Sequence, residues 1–97
     1  MILVREVFQL KFGKAKEAKT LWKEGVVIVK KAGYAVRALT DLTGPFYTFV
    51  VEISFESLAD FEKGAQDMLG AEEWGKWYQK FSPLLMSGRR EVFTIVE

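Results

Sequence analysis

Six side chains in this sequence are of types that could hold and act on a flat organic molecule: Glu6, Trp22, Tyr47, Trp74, Trp77 and Tyr78. Indole and phenol groups present broad apolar faces with a single polar tip, which suits a planar ligand, and a phenol can also stabilise a developing phenolate. A carboxylate kept from water at Glu6 would add a proton acceptor. The same aromatic residues are also what a small domain uses to fill its core, because Trp74, Trp77, Tyr78 and Phe81 recur at helical spacing. Both readings stay open at this point.

Other chemistry is excluded by composition. The chain has no histidine and no cysteine, so it offers no thiol nucleophile, thiolate metal site, disulfide or imidazole base, and no proximal haem histidine. No Ser-His-Asp set and no phosphate-cradling glycine loop exists, since Gly13 and Gly44 are single turn residues. No catalytic set is assigned, and neither metal nor cofactor is expected. With 49% hydrophobic and 28% charged residues and a net charge of +1, the chain reads as globular, with no global reason to expect nucleic acid or an anionic membrane. Residues 1–45 carry nine basic and four acidic side chains, and residues 46–97 five and nine. Complementary halves of this kind suit self-pairing, or simply one basic and one acidic solvated helix. Absent asparagine with abundant Lys and Glu leans towards a thermophilic source. The opening Met1-Ile-Leu-Val-Arg-Glu is not a signal peptide, and no apolar run reaches the ~20 residues of a membrane span, so a cytoplasmic location is expected.

The elements that must position these residues can be read in order. Ile2 to Phe12 alternates as a strand, with Ile2, Val4, Phe8, Leu10 and Phe12 on one face and Leu3, Arg5, Val7, Gln9 and Lys11 on the other. Glu6 falls on the apolar face, where the strand emerges, bulges, or holds a buried carboxylate with a partner. Lys14 to Ala32 has the three-and-four apolar spacing of a helix through Ala18, Leu21, Trp22, Gly25, Val26 and Val29, ended by Gly33. Its lysines lie off that stripe, as on a solvated face. Tyr34 to Thr43 is a strand, Gly44-Pro45 a turn, and Phe46 to Phe55 the central strand of the sheet. Ser57 to Asp60 resembles a capping box that opens a helix ending at Gly70. A short helix over 71–81 follows, Pro83 stops it, and Ser87-Gly88 is expected to turn the chain into a last strand, Arg90 to Val96.

This order predicts a single α+β domain over 1–97: a ferredoxin-like βαββα(α)β sandwich, whose four-stranded, mostly antiparallel sheet carries its helices on one face. The helices must cover the face of Tyr47, Phe49, Val51, Ile53 and Phe55. The opposite face is then left with Arg5, Val7, Arg37, Phe46, Thr48, Val50 and Glu52, too apolar for water and too polar for a dry core. That mixture predicts a homodimer packed sheet to sheet, with Arg5 or Arg37 as ion-pair partners of Glu52. A single-stranded-RNA binder would use a similar bare sheet, but its basic-Gly-aromatic signature is absent: placing Gly44 on the glycine puts Pro45 in an aromatic slot.

The segments Leu10-Lys11-Phe12-Gly13-Lys14, Ser57-Leu58-Ala59-Asp60, and Ala71-Glu72-Glu73-Trp74 through Tyr78, followed by Pro83-Leu84-Leu85, carry a resemblance. In them the chain resembles the dimeric α+β barrel superfamily and, within it, the bacterial NIPSNAP-like proteins. The resemblance implies dimerisation through the sheets and a cleft between sheet and helices in each subunit. Some relatives are cofactor-free monooxygenases of aromatic compounds, and others degrade haem through a histidine that has no counterpart here. The expected function is therefore a homodimer binding a small apolar or aromatic ligand, with cofactor-independent oxygenation of an aromatic substrate as the alternative.

Overall fold

The N-terminal alternation builds β1 (Ile2–Leu10), and the three-and-four spacing after it builds α1 (Ala15–Lys31). β2 (Val36–Thr40) and β3 (Thr48–Phe55) follow, then α2 (Leu58–Gly70), α3 (Glu72–Phe81), a 3-10 turn over Ser82–Leu84, and β4 (Leu85–Thr94). The computed structural model describes residues 1–96. The strands lie in the order β2-β3-β1-β4 and every neighbouring pair is antiparallel, so the expected α+β architecture is the one observed. Among the described residues, no helix is long and apolar enough to cross a membrane.

The helix ends follow local chemistry. In α1, Glu17 sits in the first turn and Lys30 and Lys31 in the last, each favourable with the helix dipole. Gly33 then reverses the chain at φ 92°, a backbone region that glycine enters without strain. Ser57 caps α2 as its sequence suggests, its hydroxyl accepting the Asp60 N–H at 3.2 Å.

The core lies between the sheet and α1 and α3, around Leu10, Ala18, Phe49, Val51, Trp77, Phe81 and Leu84. Trp77 is its keystone. The ring stacks on Phe81, with centroids 4.8 Å apart, and meets Trp22 edge to face. Its indole N–H donates to the Leu21 carbonyl at 2.7 Å. The ring comes that close to α1 because residue 25 is glycine: a Cβ there would stand 2.7 Å from two indole carbons.

One element differs from its sequence expectation. Ser87-Gly88 is no turn, and β4 runs straight through it from Leu85. Gly88 lies opposite Phe8, and a Cβ on it would come within 3.1 Å of that ring, so the glycine serves close packing across the strands. The extra residue at the Gln9/Leu10 register shift is absorbed as a bulge. The other strands are shorter than expected: β1 ends at Leu10, where the Lys11 N–H leaves the ladder to donate to the Leu84 carbonyl, and β3 starts only at Thr48.

Gly25→Ala should gain about 1 kcal/mol of helix propensity and still lower stability by roughly 1–3 kcal/mol net, because the indole is fixed and must be displaced. Urea unfolding followed by tryptophan fluorescence measures this. A variant as stable as the parent would show that Trp77 can step aside.

Candidate functional site

A cleft lies between the helices and the sheet. It has a volume of about 350 Å³, within the range of small-molecule sites. Its floor is the helix-facing side of β1 and β3, where Val4, Glu6, Phe8, Val51, Ile53 and Phe55 alternate inward; Phe61, Gly64, Ala65 and Met68 of α2 form one wall, and Trp74, Gly75 and Tyr78 of α3 the other. The lining is dominated by rings, among them Trp22 and Tyr34. Trp74 stacks on Trp77 at 4.8 Å and 30°, which presents a flat aromatic surface to the space. The Tyr34 hydroxyl occupies the room above Gly64, where a Cβ would be 2.5 Å away. Gly75, by contrast, has nothing within 4 Å of its Cβ position.

Glu6 is one charged group in this lining and Arg90 of β4 the other. They are direct cross-strand partners, and the Arg90 Nε–H donates to Glu6 Oε1 at 2.5 Å. Arg90 also lies over the Phe61 ring, 5.1 Å from its centroid, so it reaches from the sheet edge to α2 across the mouth of the cleft. Of the three placements open to Glu6 from sequence, the observed one is a half-buried carboxylate with a partner.

The expected cleft residues divide. Glu6, Trp22, Trp74, Trp77 and Tyr78 line the space together. Trp77 spends its polar tip on Leu21 and acts as wall. Tyr47 is elsewhere: it precedes β3 at φ 60°, and its ring packs edge-on against Phe12 at 5.2 Å, outside the cleft. Strand alternation places it on the helix-facing side, but the strand begins one residue later. Arg90, Tyr34, Phe61 and Gly75 escaped sequence reasoning. Simple alternation from the core-facing Leu85 would have put Arg89 on the face of Glu6; the register shift at Gln9/Leu10 reverses the parity and delivers Arg90 instead.

The opposite sheet face has no helix over it among the described residues, and it carries a ladder of charge across all four strands. Arg37 of β2 donates to Glu52 of β3 at 2.7 Å, Arg5 of β1 donates to the other Glu52 oxygen at 2.8 Å and to Glu91 of β4 at 2.9 Å, and Arg89 completes the row at 3.4 Å from Glu91. Arg37 and Arg5 are each in direct register with Glu52. Glu52 is only 7% exposed. Burial pushes its carboxyl up, but the hydrogen bonds and charges of Arg37 and Arg5 outweigh that and hold it below the usual range. Val7 and Val50 are buried beside the ladder. Thr48 anchors the start of β3, its N–H donating to Asp41 Oδ1 and its hydroxyl to the Pro45 carbonyl. Phe46 lies in the preceding loop, where its carbonyl accepts from the Gln9 side chain. No cluster of His, Cys, Asp and Glu suited to a metal ion is found among the described residues.

A protein-family model described as NIPSNAP matches residues 5–97. Among solved structures, a NIPSNAP family protein from Agrobacterium tumefaciens C58 superposes with a TM-score of 0.92 at 18% identity, over 99% of this chain and 86% of the other. An uncharacterised NIPSNAP domain protein from Burkholderia xenovorans gives 0.91 at 14%, over 99% and 95%. An antibiotic biosynthesis monooxygenase gives 0.78 at 15%, over the whole of both chains. At these identities the likeness is one of fold. No curated protein matches.

The ladder makes stability depend on pH. Because the folded Glu52 pKa lies below its unfolded value, its contribution is complete above the unfolded pKa of about 4.3 and is lost as pH falls through the folded value. Glu52→Gln should therefore destabilise the protein at pH 7 by about 1–3 kcal/mol, a difference that shrinks progressively below about pH 4. Paired urea titrations across pH 3–7 measure this, and a difference independent of pH would mean that the carboxylate charge is not what stabilises.

Proposed function

The chain belongs to the NIPSNAP family, and from that premise we propose that it works as a homodimer packed through its open sheet faces, each subunit holding a small apolar or aromatic ligand in the cleft between sheet and helices. The observation that carries the ligand reading is Gly75. A glycine inside a helix costs about 1 kcal/mol relative to alanine, yet nothing packs against its Cβ position and the space beside it is the cleft. Flat aromatic walls at Trp74 and Trp77 suit a planar guest.

Support for the dimer comes from the composition of the open face. Leu39 and Phe93 stay exposed on it, beside charges that are already matched with one another, so a second sheet could cover them without stranding an unpaired ion. Arg5, Arg37, Thr48 and Glu52 then fall within the interface and Phe46 at its end.

The second reading is cofactor-independent oxygenation of an aromatic substrate, favoured by the fold shared with an antibiotic biosynthesis monooxygenase and by Glu6 and Tyr78 lining one cleft. It ranks below binding because the Glu6 carboxylate is engaged by Arg90.

Native mass spectrometry tests the main reading directly, since it reports subunit number and any retained small molecule together. The parent should be a dimer, and Leu39→Glu, which sets a charge on an exposed position of the open face, should run as a monomer with unchanged far-UV circular dichroism. A parent monomer would refute the assembly. For the cleft, Gly75→Ala should raise stability by up to about 1 kcal/mol and weaken ligand uptake, and Gly75→Phe should abolish uptake by filling the space. Unchanged uptake by the Phe variant would place the ligand elsewhere.

A further inference from the structure

The Glu6–Arg90 pair is an unusual wall for an apolar cleft, and its free atoms define a ligand class. Arg90 spends its Nε–H on Glu6 Oε1. Among the described residues, its two terminal nitrogens donate to no protein acceptor and Glu6 Oε2 accepts from no donor. The two side chains are partly open, at 24% for Glu6 and 53% for Arg90, and both line the cleft. Side by side, the pair offers one spare carboxylate acceptor and spare guanidinium donors, with no net charge.

A ligand anion would meet Glu6 as a like charge, and a ligand cation would meet Arg90. Either would lose its own hydration in a lining that is otherwise nearly all apolar, and a neutral pair repays little of that cost. A pure hydrocarbon would displace water from both free edges and replace none of its hydrogen bonds. A neutral group with a donor and an acceptor on neighbouring atoms satisfies both edges at once: its N–H donates to Glu6 Oε2 and its carbonyl accepts from an Arg90 terminal nitrogen. The surrounding rings add the requirement of flatness. Trp74 lies stacked on Trp77, and Phe61 is held under the guanidinium.

We infer that the cleft selects planar, neutral, ring-fused amides, that is, two- or three-ring lactams whose N–H and C=O edge docks on the Glu6–Arg90 pair while the ring body lies among Trp74, Tyr78 and Phe61. A volume of about 350 Å³ accommodates a ligand of that size. This assignment rests on the cleft being a ligand site, and the experiment separates the two claims.

Four probes of nearly equal size serve: 2-quinolone, N-methyl-2-quinolone, naphthalene and 2-naphthoate, each titrated into the intact protein and followed by NMR shifts of the indole N–H signals of Trp22, Trp74 and Trp77. The expected order has 2-quinolone tighter than naphthalene and 2-naphthoate by at least about tenfold, with N-methylation removing most of the gain, because the donor to Glu6 is lost. In the double variant Glu6→Leu/Arg90→Leu, which leaves no unpaired charge, the lactam preference should vanish, and naphthalene, which no longer displaces water from a polar pair, should bind at least as tightly as 2-quinolone. Equal affinity for naphthalene and 2-quinolone, or tightest binding of 2-naphthoate, would overturn the lactam assignment and leave the cleft as a ligand site. Absence of binding by all four would overturn both.

Discussion

The hydrogen bond from the Trp77 indole to the Leu21 carbonyl is the contact on which the helical layer depends. In a regular helix that carbonyl already faces the N–H four residues on, at Gly25. A second donor can approach only where the side chain at that position does not block it. Gly25 has none, so the ring lies against the backbone of α1 and brings α3 with it. Trp74, Gly75 and Tyr78 are placed by the same docking, since they are neighbours on that helix. The wall of the cleft is therefore set by a contact that the cleft does not expose.

The two sides of the sheet divide the work because strand side chains alternate. On one side, alternation delivers Val4, Phe8, Phe49 and Val51 to the helices. On the other it delivers Arg37, Glu52, Arg5 and Glu91 in one row, each in register with the next. The ion pairs expected on this face form within a single chain. That matters energetically: a carboxylate as closed off as Glu52 is tolerable only with both oxygens engaged, and here two arginines engage them. A row satisfied in this way leaves Leu39 and Phe93, which stay exposed on the same face, as the groups with most to gain from being covered.

Most of the architecture was legible in the sequence because its signals are local. Apolar periodicity marked α1, α2 and α3, the serine cap fixed the start of α2, and alternation assigned Arg5, Arg37, Val50 and Glu52 to the open face. What escaped is non-local or depends on where a strand starts. Ser87-Gly88 has turn composition, and only the Phe8 ring across the sheet explains the glycine. Tyr47 has the right parity for the helix-facing side, but it sits in a left-handed backbone position before the ladder begins. The partner of Glu6 is 84 residues away along the chain, so the residue stood out as anomalous without showing what resolves it.

The glycines that line the cleft show how its space and its stability are related. Gly64 is demanded by packing, because the Tyr34 hydroxyl fills the place of its side chain, as Trp77 does for Gly25. Gly75 is demanded by nothing that touches it. A helix position that forgoes about 1 kcal/mol, with open room beside it, is hard to derive from folding alone. It follows directly if the room is used by something that is not part of the chain. The same holds for Glu6, since a hydrophobic residue at that strand position would pack against the cleft floor without needing Arg90. Both departures from the most stable choice fall in one cavity, Glu6 on its floor and Gly75 on its α3 wall, and together they support the proposal of a ligand there more than either residue does alone.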